Sequence, residues 1–290
     1  MATQRADAGA EPVPSRHNIA VAGHVRTFFV VDGGTAAPAP SAVLIILHGS
    51  HQSGRTLRRF TGRSFDKLAA GGRVAVVYPD GLRRRWNHAG SGVRVVDDVA
   101  FMVALSDHFR ALHGPIPVVI AGYSNGGQLV IRLIHEVPGK FDGAAILSAT
   151  LPLPGGLDFA DRHQPFPVLL IHGTRDLVVP YRGEARWWGL AGGPRGPSAP
   201  ETAQYFAERN NITAPPARDA LPHRRGGRWT RVERAHYEQD GHPPVLLYTV
   251  HGGGHVVPHP GTRPLTVLGR NTRDISAADA VAEFFPVLRP

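Results

Sequence analysis

A serine at position 124 is enclosed by glycines in the stretch GYSNGG, which occupies residues 122–127. Gly122-Tyr-Ser124-Asn-Gly126 follows the pattern G-x-S-x-G, in which a strained turn projects a serine hydroxyl out of a sheet as a nucleophile. Side chains two positions before and after such a serine would collide with the adjoining strand and helix, and glycine removes them. Ser124 is therefore a candidate nucleophile, and a plain strand-to-helix turn is the alternative interpretation.

A serine hydroxyl needs a base to take its proton, and the base needs an acid to orient it. Downstream of Ser124, Asp176 lies in the loop after the apolar run PVLLI, and His255 follows three glycines after the run VLLYTV. Serine, acid and histidine in this order are typical of α/β-hydrolases. Each of the three follows an apolar run, so we expect them to meet at the carboxyl edge of one sheet as a catalytic triad.

Other residues could fill the two partner roles. Asp158 or Asp161 could be the acid, although triad geometry favours Asp176. We favour His255 as the base because three consecutive glycines would let the backbone swing its imidazole over the sheet edge. Of the 16 histidines, the competitors of His255 are His172, His251 and His259, and His172 is expected to be a packed loop residue.

The negative charge that develops on a carbonyl oxygen during acyl transfer requires N–H donors. One donor is expected from the backbone of Asn125, which follows the serine at the start of a helix. The second is expected from the loop LHGSHQSG, where the N–H of Ser50 follows a sharp turn at His48 and Gly49. His48 itself is predicted to pack beneath this loop without a catalytic role.

Short apolar runs alternate with segments of helical periodicity along the chain. Runs that are apolar throughout are typical of strands buried on both faces of a parallel sheet. The alternation predicts an α/β fold with a mostly parallel central sheet and helices on both faces. The G-x-S-x-G motif and the order serine, acid, histidine then favour the α/β-hydrolase fold within this class. Strands are predicted at 25–31, 42–47, 74–78, 117–121, 144–148, 167–171 and 245–250, and helices at 95–112, 128–137, 200–210 and after Ser276.

The chain of 290 residues suits one large domain. We expect a flexible segment over residues 1–20 and a single domain over 21–290. The stretch 181–244 interrupts the rhythm of strands and helices, and it contains Trp187 and Trp188. A stretch this long between two core strands is usually functional or disordered, so it is predicted to form a cap-like insertion over the carboxyl edge of the sheet.

The composition narrows the functional classes. The absence of cysteine excludes a cysteine nucleophile and thiolate metal sites. The net charge is +9, but the arginines are scattered and no nucleic-acid-binding motif accompanies them, so a solvated surface is favoured over nucleic-acid binding. No apolar run approaches the length of a transmembrane helix. The first residues lack the apolar core of a secretory signal, so the protein is either cytoplasmic or has lost a leader before residue 1.

Five blocks of the sequence resemble, in order, the polyhydroxybutyrate depolymerase and feruloyl/acetylxylan esterase group of α/β-hydrolases. Together they span most of residues 41–290. The glycine-serine block and the GGGH block are the most specific. The blocks are LHGSHQSG, YPDGLRRRWNHAGSGVRVVDDVAFMVAL, VVIAGYSNGGQLVIRLI, IHGTRDLVVPYRG and GGGHVVP.

The resemblance implies a serine esterase that acts on a small ester or a polyester oligomer without a metal or organic cofactor. Its triad corresponds here to Ser124, Asp176 and His255. Its oxyanion loop corresponds to the segment with Ser50, where relatives commonly have cysteine. The secreted members carry signal peptides and cysteines, and this sequence shows neither.

The substrate pocket is the least defined part of the prediction. The tryptophan-asparagine element of the group corresponds to Trp86 and Asn87. These two residues, with Trp187 and Trp188, could line an acyl or aryl pocket, but aromatic residues also dominate cores. A short-chain carboxylesterase or a serine peptidase would share the triad and differ only in this pocket. A binding protein that kept the fold without the chemistry is the remaining alternative.

Overall fold

Ten strands form one sheet through the centre of the molecule. The computed structural model describes residues 14–34, 37–89, 96–153, 159–183, 196–223, 229–261 and 265–290. In chain order the strands of this sheet are β1 (Ser15–Val21), β2 (His24–Val31), β3 (Ala42–Leu47), β4 (Val74–Pro79), β5 (Val118–Tyr123), β6 (Gly143–Leu147), β7 (Val168–Gly173), β8 (Ala217–Ala220), β9 (Arg231–Tyr237) and β10 (Val245–His251).

Helices flank the sheet, and a small hairpin lies outside it. The α-helices of the described residues are α1 (Gly54–Phe60), α2 (Asp98–His113), α3 (Asn125–Glu136), α4 (Ala199–Arg209) and α5 (Ala277–Phe284). The hairpin consists of β11 (Leu265–Thr266) and β12 (Gly269–Arg270). Short 3₁₀ turns lie at Ser64–Ala69, Leu82–Arg84, Pro138–Lys140 and Pro286–Leu288. Among the helices described, none is long and apolar enough to cross a membrane.

The strand order across the sheet is β1-β2-β4-β3-β5-β6-β7-β10-β9-β8. The central strands β4, β3, β5, β6, β7 and β10 pair in parallel. Antiparallel pairs lie at both margins. Parallel strands place all their carboxyl ends at the same edge, and loops from that edge can therefore converge on one site. The mostly parallel sheet predicted from the sequence is confirmed.

Side chains of the central strands alternate between two apolar layers. In β3, for example, Val43, Ile45 and Leu47 join one layer, whereas Leu44 and Ile46 join the other. The first layer is covered by α2, α3 and α4, and the second by α1 and α5. Because both faces are covered, these strands must be apolar at every position, which explains their continuous apolar runs.

The N-terminal margin of the sheet differs from the sequence prediction. Residues 15–20 were expected to belong to a flexible segment, but Ser15–Val21 forms β1 and pairs antiparallel with β2 along its whole length. The two strands are joined at Ala22 and Gly23, which both have positive φ. Two-residue hairpin turns with positive φ match the twist of the strands they connect. The polar strand is held by this pairing rather than by burial.

The segment 181–244 is described in part. Helix α4, which the sequence predicted, packs in the same apolar layer as α2 and α3. Strands β8 and β9 extend the sheet beyond β10. These described elements are built into the sheet and its helical layer, and the cap over the carboxyl edge stays a prediction. Residues 184–195 and 224–228 lie outside the described residues.

Candidate active site

Ser124 is the single residue between the end of β5 and the start of α3. Its backbone has φ 53° and ψ −119°, a conformation that residues other than glycine rarely adopt and that costs on the order of 1–3 kcal/mol. Such strain persists only where the surrounding structure enforces it. Here the buried strand β5 and the buried face of α3 fix both sides of the turn.

The glycines around Ser124 allow three backbones to approach one another. A Cβ on Gly122 would lie 2.3 Å from the carbonyl oxygen of Gly126, and a Cβ on Gly126 would lie 2.7 Å from the carbonyl oxygens of Leu47 and His48. Neither contact is sterically possible. Gly122 therefore permits the tight strand-to-helix turn, and Gly126 lets the start of α3 pack against the end of β3.

The side chains of Ser124, His255 and Asp176 form a continuous chain of hydrogen bonds. Ser124 Oγ lies 2.9 Å from His255 Nε2, and His255 Nδ1 lies 2.6 Å from Asp176 Oδ2. His255 and Asp176 are both buried. The three residues follow β5, β10 and β7 respectively, so the parallel sheet brings them together across separations of up to 131 residues.

This arrangement determines how the imidazole is used. The carboxylate of Asp176 can only accept, so His255 Nδ1 carries a hydrogen and donates it. Nε2 is then free to accept the hydroxyl hydrogen of Ser124. A neutral imidazole in this tautomer can remove the proton of the hydroxyl as the oxygen attacks an electrophile.

Asp176 is held in place by its own loop. Its Oδ1 accepts hydrogen bonds from the backbone N–H groups of Val178 and Val179, at 2.9 and 2.8 Å. Burial opposes ionisation of this carboxyl, but hydrogen bonds from His172 and His255 outweigh burial and lower its pKa to about 2. Asp176 is therefore a carboxylate at neutral pH, as the orienting acid of a triad must be.

His172, which the sequence suggested was a packed loop residue, contacts the same carboxylate. Its Nε2 lies 2.9 Å from the carbonyl oxygen of Val179 and 3.4 Å from Asp176 Oδ2. Since the carbonyl can only accept, Nε2 carries the hydrogen. The side chain is 1% exposed. His172 therefore packs as predicted, and it also presents an N–H to Asp176 Oδ2, the same oxygen that His255 Nδ1 contacts.

Tyr123 supports the loop that carries His255. Its hydroxyl donates a 2.8 Å hydrogen bond to the carbonyl oxygen of His255, and the two ring centroids are 5.0 Å apart. Burial, together with the nearby charge of Asp176, raises the pKa of Tyr123 well above its ordinary value. The hydroxyl therefore remains a donor. No sequence motif distinguished this tyrosine, although it lies inside the G-x-S-x-G pattern.

The three glycines before His255 serve different purposes. Only Gly252 has a positive φ, of 76°. A Cβ on Gly254 would lie 2.3 Å from the carbonyl oxygen of Leu268, and a Cβ on Gly173 would lie 2.4 Å from the carbonyl oxygen of Gly253. Close packing between the acid loop, the base loop and the β11–β12 hairpin thus requires glycine, in addition to the backbone freedom expected from the sequence.

The competing residues are engaged elsewhere. Asp161 forms a bidentate ion pair with Arg209, and His251 lies 2.8 Å from Glu233. His259 is buried against Gly62, and burial lowers its pKa. Asp158 lies outside the described residues. Of the candidates for acid and base that the structure describes, His255 is the histidine hydrogen-bonded to Ser124, and Asp176 is the acid hydrogen-bonded to His255.

The two candidate oxyanion donors come from adjacent elements. Asn125 is the first residue of α3, and the first N–H groups of a helix have no acceptor within it. Ser50 follows β3 and is exposed, in a turn closed by the 3.2 Å hydrogen bond from Gln52 N to Gly49 O. The close approach at Gly126 brings α3 against this turn. Both backbone N–H groups are thus available for a proposed role in binding an oxyanion.

The side chain of Asn125 makes a separate contact. Its Oδ1 accepts from the backbone N–H of Trp86 at 2.7 Å, and its Nδ2 donates to the carbonyl of Trp86 at 3.2 Å. The next N–H along, that of Asn87, donates to Asp98 at 2.7 Å, and Asp98 forms a buried ion pair with Arg26. The Trp86–Asn87 segment is therefore clamped between the start of α3 and the start of α2.

This clamp changes the interpretation of Trp86. The residue is 3% exposed and belongs to the apolar layer, and its Nε1 donates to the carbonyl of His48 at 2.8 Å. Trp86 thus supports the loop from below and does not line an open pocket. His48 packs against it with ring centroids 4.8 Å apart and accepts a hydrogen bond from Gly81 N at 2.9 Å, as expected for a structural histidine. Trp187 and Trp188 lie outside the described residues.

Comparison with known proteins agrees with this architecture. The family model described as phospholipase/carboxylesterase matches residues 107–187, a stretch that contains Ser124 and Asp176. NocK of Nocardia uniformis subsp. tsuyamanensis, a proposed esterase, is 28% identical to this chain over an alignment of 291 residues. The alignment covers 95% of this chain and 83% of NocK.

Two solved structures resemble the chain over most of its length. Acetyl xylan esterase from Aspergillus awamori has a TM-score of 0.65 at 13% identity and covers 94% of this chain and 99% of its own. Poly(aspartic acid) hydrolase-1 from Sphingomonas sp. KT-1 has a TM-score of 0.54 at 16% identity, over 70% of this chain and 88% of its own. At these identities the likeness concerns the fold, and the chain has the α/β-hydrolase fold expected from its sequence.

Proposed function

We propose that the protein is a serine esterase that hydrolyses carboxylic esters through an acyl-enzyme. The observation that carries this proposal is the hydrogen-bond chain from Ser124 through His255 to Asp176, at 2.9 and 2.6 Å. The partial match to a carboxylesterase family model and the similarity to NocK support an ester as the bond that is cleaved.

The geometry supports a two-step reaction. Ser124 Oγ attacks the ester carbonyl carbon while His255 Nε2 takes the hydroxyl proton. The carbonyl oxygen becomes an oxyanion, which the N–H groups of Asn125 and Ser50 would stabilise. Collapse of this intermediate breaks the bond to the alcohol oxygen, which receives the proton from His255. Water then attacks the acyl-enzyme by the same route, releases the acid and restores Ser124.

Each residue has a defined task in this mechanism. Asp176 keeps His255 in the tautomer that can accept a proton and stabilises the imidazolium that forms. The strained turn at Ser124 keeps Oγ at the sheet edge, and the start of α3 directs a partial positive charge toward the oxyanion. These steps use only side chains and backbone groups of the chain, so we propose that no cofactor takes part.

For the substrate, we propose esters of the class cleaved by the polyhydroxybutyrate depolymerase and feruloyl esterase group, namely short 3-hydroxyalkanoate oligomers or aryl esters. The five resembling blocks support this class, and the similarity to an acetyl xylan esterase structure is compatible with it. A general short-chain carboxylesterase or a serine peptidase is the alternative, because either could use the same triad.

A substrate panel tests the proposal. The enzyme is incubated separately with p-nitrophenyl butyrate, methyl ferulate, a 3-hydroxybutyrate trimer and a peptide p-nitroanilide, and the released product is followed. The proposal predicts hydrolysis of esters and little release from the anilide. Efficient anilide cleavage with slow ester turnover would favour the peptidase. Turnover of p-nitrophenyl butyrate alone would favour the general carboxylesterase.

A further inference from the structure

A groove lies beside the acid and base loops of the candidate triad. It consists of two adjoining cavities of about 390 and 590 Å³. Both cavities are lined by Thr174, Arg175, Gly252 and Arg270. Thr174 and Arg175 directly precede Asp176, and Gly252 lies three residues before His255. The wall of the groove is therefore made by the two loops that carry the proposed acid and base.

The groove is rich in arginine. Besides Arg175 and Arg270, which it shares, the smaller cavity is lined by Arg182 and the larger by Arg231. We call the two cavities, with these four arginine side chains in their walls, the arginine groove. Arg175 and Arg182 are exposed, and within the described residues neither is paired with a carboxylate. These four guanidinium groups line adjoining cavities and carry the same charge, so an anion bound among them would offset their mutual repulsion.

Nearby acidic groups do not neutralise the groove. The carboxylate of Asp176 is turned inward, with its side chain 0% exposed, and it is already hydrogen-bonded to His255 and to its own loop. Glu233 lies 3.5 Å from Arg231, but it is also 2.8 Å from His251. The positive charge of Arg175, Arg182 and Arg270 therefore remains available to a ligand.

The rim of the groove is apolar and exposed. Leu177 and Leu265 line the smaller cavity and are 74% and 65% exposed, and Trp229 lines the larger one and is 64% exposed. The guanidinium of Arg270 lies 4.9 Å from the centre of the Trp229 ring. Large apolar side chains exposed around a polar centre are typical of ligand sites. A ligand that combines an anionic group with an apolar body would satisfy both features.

We propose that the arginine groove binds an anionic group on the ester substrate, so that the enzyme prefers amphiphilic esters with a free carboxylate or phosphate over neutral esters. This inference rests on the proposed esterase function. Arginine binds either oxyanion through two parallel hydrogen bonds. The backbone N–H of Gly252 donates to Thr174 Oγ1 at 2.9 Å, which ties the two loops together and keeps the groove in a fixed relation to His255.

The test compares two substrates that differ only in charge. Mono-p-nitrophenyl adipate carries a free carboxylate, and its methyl-capped counterpart is neutral. Because the leaving group and the acyl chain are the same, the ratio of the two kcat/KM values isolates recognition of the anion. At low salt we expect the charged ester to be preferred by about fivefold or more, and the preference to fall as added NaCl screens the arginines.

The variant for this test is Arg175→Gln combined with Arg270→Gln. It should lower the ratio of charged to neutral kcat/KM by about five- to tenfold, the range expected for partly exposed charge-assisted hydrogen bonds. Use of a ratio removes any general effect of Arg175 on the neighbouring Asp176. Arg73→Gln is the matched control, because Arg73 is an exposed arginine before β4, at the opposite edge of the sheet, and it should leave the ratio unchanged.

Competition distinguishes the two possible anions. Stronger inhibition by glutarate than by inorganic phosphate would identify a carboxylate substrate, and the reverse order would identify a phosphate-bearing one. Equal kcat/KM values for the two esters, or an equal change in the Arg73→Gln control, would overturn the inference while the esterase function stands. If neither ester is hydrolysed, the proposed function fails and the inference with it.

Discussion

The hydroxyl of Tyr123 donates a 2.8 Å hydrogen bond to the backbone carbonyl of His255. Tyr123, the residue before the proposed nucleophile Ser124, therefore holds His255, the residue that would activate Ser124. Tyr123 is the last residue of β5 and His255 lies on the loop after β10, so both are at the carboxyl edge of the sheet, and their rings also pack against each other. Alignment between Ser124 and His255 thus depends on a contact outside the triad.

Replacement of Tyr123 by phenylalanine tests this dependence. The change keeps the ring and leaves the buried carbonyl of His255 without its donor, so unfolding should become easier by about 1–2 kcal/mol. We also expect kcat for p-nitrophenyl butyrate to fall by about tenfold with little change in KM, because the base loses its alignment. Urea unfolding and steady-state kinetics measure the two effects.

The control for this experiment is Tyr205→Phe. The Tyr205 hydroxyl also makes a hydrogen bond, partly buried, at 2.7 Å from His135 Nε2, but it lies on α4, away from the triad. Its loss should reduce stability without lowering kcat. If both tyrosine variants lowered kcat equally, the Tyr123 contact would have no special role in alignment.

A second prediction concerns His172 as a positioning residue for Asp176. His172→Phe removes the N–H that faces the carboxylate, so the pKa of Asp176 should rise from its low value of about 2 toward that of an ordinary carboxyl. An NMR titration of the labelled Asp176 carboxyl measures this shift. We expect kcat to fall by about tenfold as well, since a less firmly held acid orients His255 poorly.

His172→Gln provides the rescue experiment, because a glutamine amide retains an N–H donor. It should recover part of the lost activity and keep the pKa of Asp176 lower than in His172→Phe. A phenylalanine variant with unchanged kcat and an unchanged Asp176 titration would show that His172 only fills space.

A third prediction separates the two histidines at the end of β10. His255→Ala should reduce kcat/KM by about 10³-fold or more, the scale seen when a triad member is removed. His251→Ala should cost far less, because His251 faces Glu233 at 2.8 Å and not Ser124. Steady-state hydrolysis of p-nitrophenyl butyrate by the two variants decides. A severe loss of activity in His251→Ala, with activity retained in His255→Ala, would show that His251 and not His255 is the base.

A fourth prediction concerns acid stability. Burial raises the pKa of Asp161, but hydrogen bonds from Arg209 outweigh it, and the pKa falls to about 2. Because the folded-state pKa lies below the ordinary value of 3.8, the pair stabilises the fold above that pH, and the stabilisation is lost as the pH falls toward 2. Asp161→Asn should therefore lower the free energy of unfolding by about 1 kcal/mol at pH 6 after allowance for screening.

The effect of Asp161→Asn should shrink when urea unfolding is repeated near pH 2, close to the folded-state pKa of Asp161, because the wild-type carboxyl is then partly protonated in the folded protein as well. The matched control is Asp107→Asn, since Asp107 pairs with Lys140 on the surface, with side chains 52% and 40% exposed. It should change stability little at either pH. If Asp161→Asn lowered the free energy of unfolding equally at both pH values, the stabilisation could not come from the ionised carboxyl of Asp161.

The core strands could be predicted from the sequence because each had a local signal. The three side chains proposed as the triad, which lie within hydrogen-bonding distance in the order Ser124, His255, Asp176, each follow one of these strands. Strands buried on both faces have continuous apolar runs, as in β3 and β10, and Ser124 lies in a motif whose strand and helix are visible beside it. Strand β1 could not be predicted in this way, since its polar sequence is held by pairing with β2. The strand β9 was missed because its sequence, RVERAHY, is mostly polar and only Val232, Ala235 and Tyr237 are buried.

Contacts between distant parts of the chain also lay beyond sequence reasoning. Asn125 holds Trp86 and His172 contacts Asp176 only because the fold brings these side chains together in space. Their spacing in the sequence does not indicate either contact. Helix α1 carries a capping box between Ser53 and Thr56, a signal that could have been found, but its arginines obscured the apolar face. The arginine groove likewise combines residues from the loop after β7, from the start of β9 and from β12.

Covalent labelling at Ser124 tests the central claim most directly. The wild-type protein and the variants Ser124→Ala and Ser148→Ala are treated with a fluorophosphonate, and the modified peptide is identified by mass spectrometry. Ser148 is a suitable control because it is a buried serine after β6 with a positive φ of 49°. If Ser124 is the nucleophile, we expect one adduct on Ser124 in the wild type and in Ser148→Ala, and none in Ser124→Ala. An adduct on another serine, or labelling that persists in a folded Ser124→Ala variant, would contradict it.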